Sequence, residues 1–208
     1  MKIEIRADGA HISGYVNATE KKSRPVITPY GRVLEEIEPG AFEGALSRAE
    51  NIRMTKDHEN VTLAETRAGS LELFEDHIGL YAEALVTDEE TIEEARAGKI
   101  KGWSFGMYNV SDELEQRGEG DLPIRKIKAL DLDHITLVIK KVPCYSATSV
   151  EVRAEGEERT FETRSTEEKP QITEERAKSS PPFFDNSAYR ARVEAIKQKN
   201  SRKREENK

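Results

Sequence analysis

The sequence predicts a mainly β domain with a few helices, followed by a charged tail that does not fold alone. Three observations carry this. Short runs that alternate apolar and polar residues recur along the first 150 positions, the period-2 signature of half-buried strands. Only two stretches, residues 41–49 and the segment between Thr87 and Gly98, read as helices. The third observation is a break in composition near residue 150. Residues 1–150 contain 61 apolar residues and 12 glycines, an ordinary globular content. Residues 151–208 contain 13 apolar residues in 58, with 14 basic and 13 acidic side chains. Such a segment buries too little apolar surface to offset its chain entropy. A domain over 1–150 and a largely disordered tail over 151–208 are therefore expected.

Each element follows from local pattern. Residues 2–6 alternate Lys-Ile-Glu-Ile-Arg, and His11 to Val16 forms their hairpin partner across an Asp8-Gly9 turn. Residues 17–31, with Pro25, Pro29 and Gly31, read as a loop. Pro39 and Gly40 mark a break before the helix at 41–49. Ile52 and Met54 alternate with polar neighbours in a strand that runs toward Asp57-His58. Residues 70–85 form two alternating arms around an Asp-His-Ile-Gly turn. Thr87 with Glu90 matches a capping box, and Gly98 sits where a helix-ending glycine belongs. From Ile100 the pattern returns to β, with a polar loop at 112–122 and two further strands at about 124–130 and 132–140. In the tail, Tyr189, Val193 and Ile196 share one face of a possible short helix at about 187–200.

Composition excludes several classes. No apolar run approaches 18 residues, so no membrane span is expected. The N-terminal MKIEIRADG lacks the apolar core of a secretory signal. Cys144 is the sole cysteine, which excludes an internal disulfide and a thiolate metal cluster and fits a reducing, cytoplasmic setting. Residues 1–150 carry 19 basic and 27 acidic side chains, which argues against a nucleic-acid-binding face.

The residues able to carry chemistry are few. Ser104 lies in Gly102-Trp-Ser-Phe-Gly106, on the strand face opposite Trp103, Phe105 and Met107. A nucleophilic serine needs a base within hydrogen-bond reach and a group that orients the base. His58, at the end of a strand, and His134, in the run DLDHITLV, are the candidates. The pattern G-x-S-x-G also fits a nucleophile elbow, but that motif needs a strand–turn–helix context, and here a β pattern continues past Ser104. A metal site of His58, His77 and His134, with Asp57 or Asp133, lacks the short spacing of common helical metal motifs. The bland alternative for Ser104 is a polar residue on a strand's outer face.

An ordered set of motifs resembles the prohead proteases of tailed bacteriophages, capsid-maturation serine proteases related in fold to the herpesvirus assemblins. Ile12-Ser-Gly-Tyr-Val16 resembles the family's opening I-x-G-Y-A strand, and Glu36-Ile-Glu-Pro-Gly-Ala-Phe42 is similar to its E-x-I-x-P-G-A-F element. Asp57-His58 resembles the N/D-H motif that supplies the catalytic histidine. Gly69-Ser-Leu71 and Gly79-Leu80 look like paired-strand markers. Gly98-Lys-Ile100, followed by Gly102 to Gly106, resembles the block that supplies the nucleophile. The resemblance covers residues 12–150 and none of the tail. It departs at the third catalytic position, where the family often has L-x-E-[VI]-S-[LV]-V. Here Leu132-Asp-His-Ile-Thr-Leu-Val138 puts His134 on the acidic position, with Asp133 as its rival. Adjacent strand residues face opposite sides, so only one of the two is expected to reach His58.

The resemblance implies a closed β-barrel with peripheral helices and a serine endopeptidase with Ser104 as nucleophile, His58 as base and His134 as third member. It implies no cofactor and no metal. Its expected partners are the major capsid protein, whose scaffolding segment it cuts, and the chain itself, with association into a homo-oligomer. Neither nucleic acid nor a membrane is an expected partner. The expected setting is the host cytoplasm, inside the assembling prohead. Arg125 is a weak candidate for helping the oxyanion. The alternative is a catalytically inactive scaffolding or assembly module on the same fold.

Overall fold

A computed structural model describes residues 1–140, 150–154, 157–167 and 169–175. The described residues contain thirteen strands and two helices. In chain order these are β1 (Lys2–Arg6), β2 (Gly9–Ala18), β3 (Val26–Thr28), β4 (Gly31–Ile37), α1 (Ala41–Arg48), β5 (Arg53–Lys56), β6 (Thr62–Glu65), β7 (Leu71–Glu75), β8 (Gly79–Val86), α2 (Glu89–Arg96), β9 (Gly102–Glu115), β10 (Ile124–Val138), β11 (Val150–Ala154), β12 (Glu157–Glu167) and β13 (Gln171–Glu174).

The strands form two sheets. One runs β13-β1-β2-β8-β7, and the other runs β11-β12-β9-β10-β4-β3, with β5 paired to β10 and β6 to β5. Among the described residues no pair joins the edges of the two sheets, so the expected closed barrel is replaced by two open sheets. Their inner faces instead share one core. Ile3, Ile5, Ile12 and Leu80 from the first sheet meet Trp103, Phe105, Ile135 and Leu137 from the second. Phe42 of α1 packs edge-on to Phe105, ring centroids 5.6 Å apart. The mainly β class and both helices stand as expected.

β10 organises the second sheet. Its 15 residues pair antiparallel with β9 along one edge. Along the other edge, Ile124–Ile127 pair in parallel with β4, and His134–Leu137 in parallel with β5. The two strands expected at 124–130 and 132–140 are thus one. Its register shifts near Lys128, Leu130 and Asp133 allow it to bend without ending.

Several boundaries differ from the sequence reading. β3 lies within the expected loop at 17–31 and β4 begins at its end, and β9 runs four residues into the expected loop at 112–122. The cap of α2 is Asp88 rather than Thr87. The Asp88 carboxylate accepts from the Thr91 amide at 2.8 Å and its hydroxyl at 2.6 Å, and its charge favours the helix N-terminus. Gly98 does end that helix, in a left-handed conformation with φ of 65°. The Gly98 amide donates to Ala95 and the Lys99 amide to Glu94, a Schellman arrangement.

The larger difference lies past residue 150. β12 adds to β9 and β13 adds to β1, so the packed unit runs from Met1 to Glu175. The described residues of β11, β12 and β13 are therefore strands, where composition gives a largely disordered tail. Counting apolar residues misses strands that join through backbone ladders and charged pairs. Cys144 and the possible helix at 187–200 lie outside the described residues.

Candidate active site

Three neighbouring strands bring distant residues together. His58 follows β5, His134 lies in β10 and Ser104 lies in β9. In register, Thr55 faces Thr136, Thr136 faces Ser104, and Ser104 faces Ser165 of β12. Four hydroxyl side chains thus form one row across four strands. Their sequence separations give no hint of this.

His58 is carried by a tight turn. Asp57 and His58 have φ of 50° and 59°, and the Glu59 amide donates to the Lys56 carbonyl at 2.7 Å. Two consecutive non-glycine residues with positive φ cost about 1–2 kcal/mol each. Three contacts hold them there. The buried Asp57 carboxylate accepts from the Ile139 amide at 2.7 Å and from the Lys140 amide at 3.0 Å. The Asp57 amide donates to Leu137 O at 2.9 Å. The His58 amide donates to Thr136 Oγ1 at 3.1 Å, and Thr136 Oγ1 also accepts from Thr55 Oγ1 at 2.8 Å. Asp57 therefore positions the turn and takes no part in the side-chain run that starts at His58.

That run is continuous. Ser104 Oγ is 2.8 Å from His58 Nε2, His58 Nδ1 is 2.8 Å from His134 Nε2, and His134 Nδ1 is 2.7 Å from Asp133 Oδ2. As a carboxylate, Asp133 only accepts, which sets the direction of the two histidine bonds when both rings are neutral. His134 then carries its proton on Nδ1 and accepts at Nε2. His58 then donates from Nδ1 and turns its Nε2 lone pair toward the Ser104 hydroxyl. Of the two candidates for the third position, His134 contacts His58 and Asp133 contacts His134 in turn, a placement that strict alternation does not allow of neighbouring strand residues. The reason is the register shift between Leu132 and His134. Leu132 pairs with Met107 and His134 with Gly106, which leaves Asp133 as the extra residue of a bulge, free of strict alternation.

The other sequence candidates lie elsewhere. His77 is exposed between β7 and β8, and His11 bonds to Asp8 at 3.1 Å. Among the described residues no group of His, Cys, Asp or Glu has the arrangement of a metal site. Arg125 lies in a cluster of carboxylates. Its buried guanidinium binds Glu35 at 2.9 Å, Glu162 at 2.6 and 2.8 Å, and Asp112. Burial works against that charge, but Glu162, Asp112 and Glu35 outweigh it and keep the Arg125 pKa above the usual guanidinium value. What sequence reasoning missed is the cover over the serine. Ser104 has no exposed surface, and β12 lies beside it.

A profile of the caudovirus prohead serine protease family matches residues 1–163. The chain belongs to that family. The match extends thirteen residues beyond the compositional break at 150 and into β12, in keeping with the packed unit. No curated protein and no solved structure matches the chain. Family membership supports a serine peptidase role in capsid maturation, on capsid-protein substrates, inside the assembling prohead. Among the described residues no helix is long and apolar enough to cross a membrane.

Proposed function

We propose that this chain is a serine endopeptidase in which Ser104 is the nucleophile, His58 the general base, and His134 the residue that orients His58. Asp133 orients His134 in turn. The observation that carries this reading is the unbroken run of short side-chain bonds from Ser104 to Asp133. Ser104 Oγ attacks a peptide carbonyl as His58 Nε2 takes its proton, and His58 returns that proton to the leaving amine. The imidazolium formed at His58 shares its charge with His134, and the Asp133 carboxylate supports it one ring away. A histidine alone in the third position gives weaker support than that pair.

The substrates are the scaffolding segment of the major capsid protein and the chain itself, and copies of the chain associate. Co-expression with the major capsid protein tests this by intact mass. Wild type yields a shortened capsid protein; Ser104→Ala yields none and keeps the wild-type circular dichroism spectrum. Shortening by the Ser104→Ala protein rules the assignment out. One observation favours the alternative, an inactive assembly module: the lack of any exposed surface at Ser104.

A further inference from the structure

The strand beside Ser104 accounts for that burial. Glu162–Glu167 of β12 pair antiparallel with Gly102–Met107 of β9, with Ser165 opposite Ser104. Ser165 Oγ donates to Ser104 Oγ at 2.9 Å, and Ser104 Oγ donates to the Arg164 carbonyl at 2.7 Å. A serine hydroxyl has one proton. While the Arg164 carbonyl accepts it, His58 Nε2 does not. β12 therefore covers the nucleophile and competes with the base for its proton.

The strand is attached by charge. Glu162 and Arg164 are two apart, so both face the side of their register partners Met107 and Phe105, away from Ser104. There Arg164 binds Glu35 through two nitrogens, one at 2.6 Å, and also bonds to Glu162. Arg125 holds Glu162 and Glu35 from the wall. The wall thus presents a carboxylate for the strand's arginine and a guanidinium for its glutamate, all with side chains at most 9% exposed. Buried charges demand matched partners, so this arrangement discriminates. A cleft of about 320 Å³, lined by Asn17, Lys21, Arg24, Glu35, Thr163 and Ser165, runs along the same strand.

An extended peptide added to a sheet edge gains affinity from its backbone and selectivity from alternate side chains. Residues 162–166 have both. We propose that β12 is a built-in occupant of the peptide-binding edge of β9, a self-blocking strand. Glu35 and Arg125 are the specificity residues that read it, selecting an acidic residue and a basic residue two positions later. The carbonyl of the basic residue then lies at the nucleophile. This rests on the reading of Ser104 as nucleophile.

The test uses the full chain and a fluorophosphonate probe, with the rate of Ser104 labelling read by intact mass. Amide hydrogen exchange over 102–107 and over the core strands is read in parallel. Arg164→Glu sets a third carboxylate against Glu35 and Glu162. It is expected to speed exchange at 102–107 while the core stays protected, and to raise the labelling rate at least tenfold. A peptide of sequence FETRSTE (residues 161–167) added to that variant is expected to slow labelling again; its arginine-to-alanine analogue is not. Glu35→Gln, a milder change, is expected to act in the same direction and replaces Arg164→Glu if that variant loses core protection. Unchanged exchange at 102–107 overturns the proposal, as does an equal labelling rate in wild type and variant; both leave Ser104 as nucleophile. Absence of labelling in a folded variant whose 102–107 amides exchange freely removes the nucleophile reading, and the proposal with it.

Discussion

Thr136 ties His58 to the sheet. Its hydroxyl accepts from the His58 amide and from Thr55, in a position with no exposed surface. Thr136→Val keeps the shape and removes the acceptor that the His58 amide and the Thr55 hydroxyl share. We expect a loss of about 1–3 kcal/mol in denaturant unfolding and a fall in turnover larger than the change in KM. Asp133 acts further out. Its carboxylate is the acceptor that holds the His134 ring in place, and its removal frees that ring to turn. Asp133→Ala is expected to reduce kcat more than it changes KM; an unchanged kcat removes Asp133 from the run. Much of this site was legible in the sequence. Ser104 stood out because glycines flank it within an apolar alternation, and His58 because it ends a strand. Thr136 was not legible, because nothing in ITLV distinguishes a hydroxyl that bonds across strands from one in solvent. Asp133 was half legible: alternation forbids its role, and the bulge that lifts the ban leaves no mark in composition.

At the scale of elements, the helices and hairpins were legible because their signals are local. α1, α2 and the β1–β2 and β7–β8 hairpins each carry their own turn or cap. The Asp88 cap makes a prediction of its own: Asp88→Ala is expected to cost about 1 kcal/mol, read as a lowered denaturant midpoint. β3, β6 and β12 were not legible. β3 and β6 are short, three and four residues, and β12 is highly charged, with its partner β9 far away in sequence. β12 is the extreme case, fixed by Glu162 and Arg164 rather than by apolar burial. Burial works against the Glu162 carboxylate, but its bonds to Arg125 and the nearby Arg164 charge hold its pKa below the ordinary 4.5. A depressed folded-state pKa contributes stability that is complete above the ordinary value and is lost as pH falls through the depressed one. Amide protection over 162–166 is therefore expected to decline below pH 4.5. Protection that stays constant down to acid unfolding contradicts the ionic anchor.

At the scale of the molecule, a packed unit of residues 1–175 replaces the expected domain of 150, and two sheets around one core replace the expected barrel. The error in the boundary has one source. Composition measures whether a segment can fold alone, and β11 to β13 do not need to. Ending the chain after Glu175 keeps every described strand pair, whereas ending it after residue 156 removes β12 and β13, one from each sheet. The shorter chain is expected to melt at a lower temperature than the 175-residue chain and to label faster at Ser104. Equal melting temperatures contradict a structural role for these two strands.

The place of β12 in the chain also sets an order in time. Gly102–Met107 leave the ribosome well before Glu162–Glu167, with more than fifty residues in between. At roughly 5–20 residues per second, this interval is several seconds. Through it, one side of β9 is a bare strand edge, the feature by which separate chains pair with one another. Each newborn chain thus passes through a brief age at which β9 is open to a neighbour, and closes it only once β12 has been made.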